Sequence, residues 1–394
     1  MALADHETGL ILSGGGARAA YQAGALRGIA RIVGRGAGIP FPVVSGTSAG
    51  AINAATIAVH ADDFRRGVAR LLRWWRAVST DVVYRSEMST FARLAGSVAA
   101  SLTGLTRGPR HALALLDNAP LARTIAGHID LDRLDRMIKC GALRALAVNA
   151  TSYATGHAVT FFEGTLSVAP WQRTRRRGER HRLRVEHLMA STAIPFVFPA
   201  TRLGEDWYMD GSVRQLTPLS PALHLGARRL LVIAVGQFAG QRKAGSGVPA
   251  PVPSFAQVAG HALSSVFLDN LGADLERLSQ VNRVIDRLSR GEGAGDVAMS
   301  HVDAFVLAPS QDLGELARAY VQHLPRAARL MLRGFGSSQG TGANLPSYLL
   351  FDRGYCRRLL ALGYADALAR RDEIAAFLGD RDVRYTPLLA EAFL

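Results

Sequence analysis

The chain has 394 residues, 48% of them hydrophobic, 20% charged and 7% aromatic, a composition that excludes disorder and can bury the core of one large domain or two smaller ones. Its 46 Lys and Arg residues outnumber 32 Asp and Glu, which gives a formal net charge of +14 and favours anionic partners such as nucleic acid, acidic lipid or a phosphorylated substrate. The two cysteines, Cys140 and Cys356, have no metal-binding spacing, which excludes a disulfide scaffold and a Cys-based metal site.

The N-terminal residues before Gly9 lack the basic segment and long apolar stretch of a secretory signal. No uninterrupted apolar run in the sequence reaches the roughly 20 residues that span a bilayer. We therefore expect a soluble, cytoplasmic protein without a transmembrane helix, one that can visit a membrane surface.

Apolar runs and helical periodicity alternate along the chain for about 310 residues. Most runs are apolar throughout, which is typical of strands in a sheet covered on both faces. The predicted strands are 9–12, 41–45, 143–148, 158–162, 207–209, 230–235 and 302–307. Helices are predicted after residues 18 and 48 and over 62–78, 185–193, 313–333 and 354–378.

A Gly/Pro-rich connector, residues 240–254, precedes an amphipathic helical pattern over 255–288. The strand at 302–307 follows these segments and continues the α/β pattern. We therefore predict one α/β domain, residues 8–312, with a helical C-terminal extension, residues 313–394, packed on it.

The residues Gly46, Thr47, Ser48, Ala49 and Gly50 fit the G-x-S-x-G pattern of a nucleophile elbow. A sharp turn from strand to helix strains the serine backbone and lifts its hydroxyl above the sheet. A side chain at position 46 or 50 would collide with neighbouring backbone, and the Ala49 N–H would donate to a developing oxyanion. The alternative is a glycine-rich turn with an accidental serine. The strand before it and the apolar helix after it favour the elbow.

A second glycine turn, SGGGAR over 13–18, also lies between a strand and a helix. The N–H groups of Gly14, Gly15 and Gly16 would form a concave nest for an anion, which supplies the further donors that an acyl-transfer serine needs. Ala17 continues the turn. The positive charge of Arg18 would either hold the turn or contact a phosphate or carboxylate.

The same glycine turn has a nucleotide-binding alternative. A P-loop is excluded, because no Gly-Lys-Ser/Thr follows the glycines. A dinucleotide site is disfavoured, because position 19 is alanine and no acidic residue occurs from Ala17 to Ala61.

A serine nucleophile needs a base, and histidine is the usual one. None of the histidines after Ser48 lies between a strand end and a glycine turn. Asp210 does, since the predicted strand at 207–209 ends in Asp210 and Gly211. An ordinary Asp-Gly turn is the alternative.

In this order, Gly14-Gly-Gly-Ala-Arg18, Gly46-Thr-Ser-Ala-Gly50 and Asp210-Gly211 resemble the patatin-like phospholipase family. The segment ASTAIPFVFP, residues 190–199, is similar to the stretch before the aspartate of the family, and the resemblance covers about residues 8–236. The C-terminal third resembles bacterial members in a general way and carries no catalytic motif.

The resemblance implies a three-layer α/β/α sandwich with a mostly parallel sheet and a Ser-Asp dyad that uses no histidine, metal or cofactor. It makes Ser48 the nucleophile and Asp210, in the turn with Gly211, the base. The oxyanion hole would comprise Gly14 to Arg18 and the Ala49 N–H. Ser212 departs from the small Gly or Ala usual after Asp-Gly, and its hydroxyl could bond Asp210 and change its basicity.

The implied activity is that of a serine lipid acyl hydrolase, of phospholipase A or lysophospholipase type, on phospholipid or another lipid ester. One alternative is an acyltransferase or general carboxylesterase with the same dyad. Another is a nonenzymatic regulator that binds an anion or dinucleotide through the glycine turns. The apolar residues of the 62–78 helix either line an acyl pocket or pack in the core: Leu71, Leu72, Trp74 and Trp75.

Residues 173–184 hold seven arginines in twelve positions, and we predict that they form a loop. One interpretation is a peripheral contact with an anionic membrane, and the other is a solvated surface. The arginines concerned are Arg173, Arg175, Arg176, Arg177 and Arg180. No aromatic-interleaved platform or helix-turn-helix pattern occurs, so we expect no nucleic acid partner. The sequence gives no oligomeric state.

Overall fold

A computed structural model describes residues 8–34, 38–85, 114–236, 270–288, 300–326, 328–329 and 344–379. The strands that it describes form one sheet. They are β1 Thr8–Leu12, β2 Val43–Thr47, β3 Ala145–Ser152, β4 Ala158–Gly164, β5 Trp171–Arg173, β6 Arg176–Arg180, β7 Thr201–Leu203, β8 Asp206–Asp210, β9 Arg229–Ile233 and β10 Asp303–Leu307.

Helices flank this sheet, and short 3₁₀ turns cover Gly16–Ala19, Gly211–Val213 and Arg318–His323. The α-helices are α1 Ala20–Val33, α2 Ala49–Ala58, α3 Phe64–Ala77, α4 Thr80–Val83, α5 Ala119–His128, α6 Arg133–Lys139, α7 Val185–Thr192, α8 Ser220–His224, α9 Asn270–Leu288, α10 Leu313–Ala317, α11 Asn344–Leu349, α12 Arg353–Ala369 and α13 Arg371–Gly379.

Five neighbouring strands of the sheet are parallel, in the order β10-β9-β1-β2-β3. Strand β4 pairs antiparallel with β3, and β6 and β5 follow it to the edge. Strand β8 also pairs antiparallel with β3, and β7 pairs with β8.

Side chains alternate between two buried faces of the sheet. Leu10 and Leu12 belong to the larger core cluster, which includes α1, α2, α3 and α12. Ile11 belongs to the smaller cluster on the other face, which α8 and α9 cover through residues such as Ala222 and Leu275. Apolar residues at both odd and even strand positions therefore produce helix, sheet and helix layers. The predicted three-layer α/β/α fold class is confirmed.

Strands β2 and β8 approach each other along one edge of β3. Strand β2 pairs with β3 as far as Thr47, opposite Asn149. Strand β8 runs the opposite way and ends at Asp210, opposite Ala150. Since β4 occupies the other edge of β3 at Ala150, the carboxyl ends of β2 and β8 meet end to end.

The C-terminal helices pack on the first helix of the chain. Helix α12 lies along α1 closely enough that a side chain at Gly24 would come 2.8 Å from the carbonyl carbon of Leu360. A side chain at Gly363 would come 2.8 Å from the Ala25 nitrogen. Helix α11 packs on the 3₁₀ turn that begins at Gly16.

The sequence predictions need correction in three places. The arginine-rich stretch from residue 173 is a hairpin, β5 and β6, because its backbone pairs with β4 at the sheet edge. The predicted helix at 354–378 is two helices, with Arg370 between them in a non-helical conformation. Of the predicted helix at 313–333, residues 313–323 form the short α10 followed by a 3₁₀ turn.

Some predicted segments lie outside the described residues. They are the connector at 240–254, the first part of the amphipathic pattern at 255–269, and residues 327, 330–343 and 380–394 of the extension. Within the described part of the chain, no helix combines the length and the apolar character needed to cross a lipid bilayer.

Candidate active site

Ser48 lies at the end of β2, where the chain turns sharply into α2. Its backbone angles are φ 55° and ψ −130°, a left-handed conformation that costs a non-glycine residue about 1–3 kcal/mol. A side chain at Gly46 would come 2.5 Å from the Gly50 oxygen, and one at Gly50 would come 2.6 Å from the Ser13 oxygen. The turn therefore leaves no room for a side chain at either glycine.

Hydrogen bonds hold this strained turn from below. The Ser48 N–H donates to Ser191 Oγ at 2.9 Å, and Ser191 Oγ donates to the Asn149 carbonyl at 2.6 Å. The Ser48 carbonyl accepts from the Ala51 N–H at 2.9 Å. Ser191 of helix α7 thus connects the elbow to strand β3.

Asp210 ends β8 and is fully buried. Its N–H donates to the Ala193 carbonyl at 2.9 Å, and its carbonyl accepts from Thr151 Oγ1 at 3.1 Å. Its Oδ1 accepts from the Ser212 N–H at 2.8 Å. The carboxyl group is therefore fixed in place by its own backbone and by the following turn.

Burial raises the pKa of the Asp210 carboxyl to about 6, because the charged form loses hydration. The neighbouring hydroxyls of Ser48 and Ser212 oppose this change and favour the charged form. Among the described residues, the buried Oδ2 atom has no hydrogen-bond partner of regular geometry. The Asp210 carboxyl is thus a stronger base than an exposed one, and the Ser48 hydroxyl lies beside it.

The glycine turn of residues 14–18 lies against Ser48 and against Ser212, which follows Asp210 by two positions. A side chain at Gly14 would come 2.5 Å from Ser212 Oγ and 3.2 Å from Ser48 Cβ. Gly16 has φ 53° and packs against the Tyr348 backbone, where a Cβ atom would come 2.9 Å from the carbonyl carbon. Ala17 is buried in the 3₁₀ turn that follows.

Arg18 holds this turn to the C-terminal helices. Its Nε donates to Ser347 Oγ at 2.7 Å, and its guanidinium carbon lies 4.3 Å from the centre of the Tyr348 ring. The side chain is only 3% exposed. Of the two roles expected for Arg18, these contacts favour holding the turn.

A buried polar network, which was not predicted from the sequence, lies under the elbow. Asn149 Nδ2 donates to the Gly46 carbonyl at 3.0 Å and to Thr47 Oγ1 at 3.2 Å. Thr47 Oγ1 donates to Gln215 Oε1 at 3.0 Å, and Thr160 Oγ1 donates to Asn149 Oδ1 at 2.8 Å. The asparagine that interrupts the apolar run of β3 was the available signal.

A narrow apolar cavity opens beside Ser48. The space open to the centre of a water-sized molecule is about 20 Å³. The described residues that line it include Gly16, Ser48, Ala49, Ile52, Trp74, Val83, Leu121, Thr192, Ile194, Phe198, Tyr348, Leu349 and Phe351. Most of these lining residues are apolar, so the cavity suits an apolar group next to Ser48.

Trp74 is the single residue of the α3 apolar set among those described as lining this cavity. Trp75 is fully buried and donates from its indole N–H to Asn53 Oδ1 at 2.8 Å. Leu71 and Leu72 lie in the main core. Of these four α3 residues, Trp74 thus contacts the cavity, and the other three pack in the core.

The structure brings together Ser48, Ala49, Asp210, Gly211 and the glycine turn of residues 14–18. The arginine run lies apart from them, on the hairpin at the sheet edge. No group of three or more metal-ligating side chains is found in the described ranges. A serine hydroxyl, a basic carboxyl and an apolar cavity suit a transfer that proceeds through an acyl-serine.

Two solved structures are similar to the chain. Human GIVD cytosolic phospholipase A2, in complex with methyl gamma-linolenyl fluorophosphonate, matches with a TM-score of 0.43 and 13% identity. That match covers 94% of this chain and 59% of the other, so the chain spans less than two thirds of its length. VipD from Legionella pneumophila matches with a TM-score of 0.33 and 13% identity, over 94% of this chain and 67% of VipD. Among curated proteins, none matches the chain significantly.

A family model described as patatin-like phospholipase matches residues 10–223. The matched range is more than half of the 394 residues and contains the glycine turn, Ser48 and Asp210. The family predicted from the sequence is confirmed: this chain belongs to the patatin-like phospholipase family.

Proposed function

We propose that the chain is a serine lipid acyl hydrolase that cleaves carboxylic esters of phospholipids through Ser48 and Asp210. The observation that carries this proposal is the buried Asp210 carboxyl, with its pKa raised to about 6, beside the hydroxyl of the strained Ser48. Family membership supports a lipid ester as the substrate.

In the first step, Ser48 Oγ attacks the ester carbonyl carbon and its proton passes to the Asp210 carboxylate. A carboxyl with a pKa of about 6 is ionised at neutral pH and is a better base than an exposed one. Backbone N–H groups of the Gly14 to Gly16 turn and of Ala49 stabilise the oxyanion. The alcohol then leaves with the proton from Asp210, and the acyl group stays on Ser48.

In the second step, a water molecule gives a proton to Asp210 and its oxygen attacks the acyl-serine carbonyl. The bond to Ser48 Oγ breaks, Ser48 regains the proton, and the fatty acid is released. The apolar walls contributed by Ile52, Trp74 and Phe198 suit the acyl chain. Since the open space is only about 20 Å³, substrate entry requires these side chains to move.

The test compares Ser48→Ala and Asp210→Asn with the parent chain in hydrolysis of a soluble ester and a phospholipid. We expect kcat to fall about a thousandfold or more in both variants, because each removes a reacting group. The exposed Ser167→Ala and Asp135→Asn are matched controls and should retain the parent rate.

A fluorophosphonate probe should label the parent chain at Ser48 and leave Ser48→Ala unlabelled. Full turnover in either variant would refute the dyad. A chain that never labels and hydrolyses no ester would instead support an anion- or dinucleotide-binding regulator. Mass-spectrometric product analysis with added lysolipid separates hydrolysis from acyl transfer.

We also infer a peripheral contact with anionic membrane through the arginine-rich hairpin. Arg173 and Arg175 are exposed, and each basic residue near an acidic surface contributes about 1 kcal/mol to binding. By contrast, Arg177 pairs with Glu179 at 2.5 Å, and Arg180 donates to the Gly164 carbonyl at 2.7 Å. Sedimentation with liposomes should depend on acidic lipid, and Arg173→Ala should weaken it; binding that ignores lipid charge would contradict the inference.

A further inference from the structure

A second pocket lies on the face of the sheet opposite the Ser48 cavity. Its volume is about 470 Å³, which is within the range of small-molecule sites. Trp171, in its wall, packs on the smaller core cluster, whereas the Ser48 cavity adjoins the larger one. The described residues that line it are Ala158, Thr160, Trp171, Thr174, Arg175, Arg176, Arg214, Gln215, Leu216, Thr217, Ser220, Pro221 and Arg277.

Four arginines from three parts of the chain converge on this pocket, and none of its described lining residues is acidic. Arg175, Arg214 and Arg277 are exposed, and none of them forms an ion pair within the described part of the chain. Asp274 lies one turn before Arg277, and its Oδ2 accepts from the Leu219 N–H at 3.0 Å. The Asp274 carboxylate interacts electrostatically with Arg277 and Arg176, so the described residues leave the four arginines of the pocket with an excess of positive charge.

The walls of the pocket are fixed rather than loose. Arg176 donates to Thr217 Oγ1 across the pocket. The Trp171 ring stacks between Phe162 and His224, with ring centres 5.3 and 4.8 Å away. Arg175 has φ 58° in the hairpin turn, a conformation that a non-glycine residue adopts at a cost.

Hydroxyl groups complete the donor set of this pocket. Thr174, Thr217 and Ser220 line it together with the arginines, whereas the proton of the Thr160 hydroxyl is donated to Asn149 Oδ1. Planar guanidinium forks match the geometry of phosphate oxygens, and hydroxyls donate to the oxygens that remain. A ligand with one charge would leave much of the positive charge uncompensated, so the donor set fits a phosphate group with two or more charges.

The pocket connects to the elbow through two of its lining residues. Gln215 accepts from Thr47 Oγ1, and Thr160 donates to Asn149, which in turn bonds the Gly46 carbonyl. Residues of the pocket wall therefore contact, directly or through Asn149, strand β2, which leads into Ser48. A ligand that shifts Gln215 would change the position of that strand.

We propose that this pocket binds a phosphomonoester or polyphosphate group and that its occupation is coupled to the Ser48 elbow. The phosphate can belong to a soluble metabolite or to a lipid headgroup, since both present the same oxygens. The binding part of this inference stands without the proposed hydrolase, whereas the coupling part rests on it.

Binding is measured by calorimetry on the full chain, with pyrophosphate and inositol trisphosphate as soluble probes. Phosphatidylcholine vesicles with and without phosphatidic acid form the lipid arm. Binding of a soluble probe identifies a free phosphate as sufficient, and binding to the acidic vesicles alone identifies a headgroup. Saturation by neither would overturn the site.

The double variant Arg214→Ala, Arg277→Ala should bind the successful probe at least about tenfold more weakly, because each charge-assisted bond contributes about tenfold in affinity. The control, Arg65→Ala with Arg66→Ala, removes the same charge from exposed positions of α3 across the sheet. Its affinity should stay within about twofold of the parent, since long-range attraction alone is weak and screened. Equal losses in both double variants would show nonspecific attraction and overturn the pocket.

The coupling is tested by hydrolysis of a soluble ester with and without the probe. We expect the probe to change kcat of the parent chain and to leave kcat of the Arg214→Ala, Arg277→Ala variant unaffected by its addition. Binding that leaves kcat of the parent unchanged would overturn the coupling. If the chain hydrolyses no ester, the proposed function fails, and the calorimetry still decides the site.

Discussion

The carboxyl group of Asp210 is the buried ionisable group on which the proposed chemistry depends. Burial raises its pKa to about 6, and the Ser212 hydroxyl acts in the opposite direction. Since the base must be ionised, kcat/KM should fall about tenfold per pH unit below pH 6. Ser212→Ala removes the opposing hydroxyl and should move this limb of the profile to higher pH.

The measurement is a profile of kcat/KM against pH with a soluble ester. Ser167→Ala, an exposed serine substitution, is the control and should leave the limb in place. An acidic limb of the kcat/KM profile near pH 4 in the parent chain would contradict a buried Asp210 base. The same limb at an unchanged pH in Ser212→Ala would show that the Ser212 hydroxyl does not affect the pKa of Asp210.

The raised pKa also makes Asp210 a cost to folding. The folded chain holds this proton more tightly than the unfolded chain, so the contribution of the group to stability is complete below about pH 4. It is lost as the pH rises through about 6. Asp210→Asn should therefore raise the free energy of unfolding above pH 6, by up to about 3 kcal/mol at about 1.4 kcal/mol per pKa unit.

Urea unfolding at pH 8 and pH 4 tests this prediction. The gain should be present at pH 8 and absent at pH 4, whereas the exposed Asp135→Asn should change neither value. No gain at pH 8 would mean that Asp210 is well hydrated or compensated in the folded chain. If the prediction is confirmed, Asp210→Asn is an inactive variant that is more stable than its parent.

The residues with reacting groups could be found from the sequence because each lies in a short local pattern. Ser48 has glycines two positions away on both sides, and Asp210 lies at a strand end before Gly211. Asn149 interrupts the apolar run of β3, but Ser191 and the bonds that both residues form could not be found in this way. They act on residues far away in sequence, and no periodicity records such a pairing.

At the scale of elements, strand β3 is the part to which both halves of the site are attached. Asn149 bonds β2 at Gly46 and Thr47, and it accepts from Thr160 on β4. Asn149→Ala would remove these bonds to the Gly46 carbonyl and the Thr160 hydroxyl, at a cost of about 1–3 kcal/mol each, whereas Thr47 Oγ1 would keep its bond to Gln215. We expect kcat to fall more than KM changes, because the elbow is displaced while the apolar cavity remains.

Steady-state kinetics and urea unfolding of Asn149→Ala test this positioning role. Thr160→Val is the graded control, since it removes one bond to Asn149 and keeps those from Asn149 to β2. It should lower kcat less than Asn149→Ala does. A variant with reduced stability but the parent kcat would show that Asn149 supports the fold without positioning Ser48.

The parallel strands were predictable because they are apolar at successive positions, as a sheet buried on both faces requires. The hairpin β5–β6 was not, because its arginine-rich sequence has neither apolar alternation nor a turn signal. Pairing between Ala158 and Arg176, on β4 and β6, places it in the sheet. Tertiary pairing thus outweighs the local sequence there.

At the scale of the whole molecule, the C-terminal helices complete both the core and the site. Tyr355, Leu359 and Phe377 are fully buried, and each large apolar side chain contributes about 1.5–3 kcal/mol on burial. A chain that ends at residue 312 loses these side chains and the Arg18 bond to Ser347. Since domains are stable by only about 5–15 kcal/mol, we expect this truncated chain to be insoluble or unfolded.

Circular dichroism and soluble yield test the truncation, with a chain that ends at residue 379 as the control that keeps every described helix. If the chain that ends at residue 312 does not fold, the predicted division into residues 8–312 and 313–394 does not separate two independent folding units. A soluble, cooperatively unfolding chain of residues 1–312 would contradict this and would support a separate catalytic domain.

The packing of α12 on α1 also affects the order of events on the ribosome. Helix α1 ends at Val33, and its partner begins only at Arg353. At roughly 5–20 residues per second, the alanine- and glycine-rich side of α1 waits between about 15 seconds and one minute for its cover. The nascent polypeptide therefore exposes this side of α1 during that delay, and we expect the proposed ester hydrolysis to begin only when translation is nearly complete.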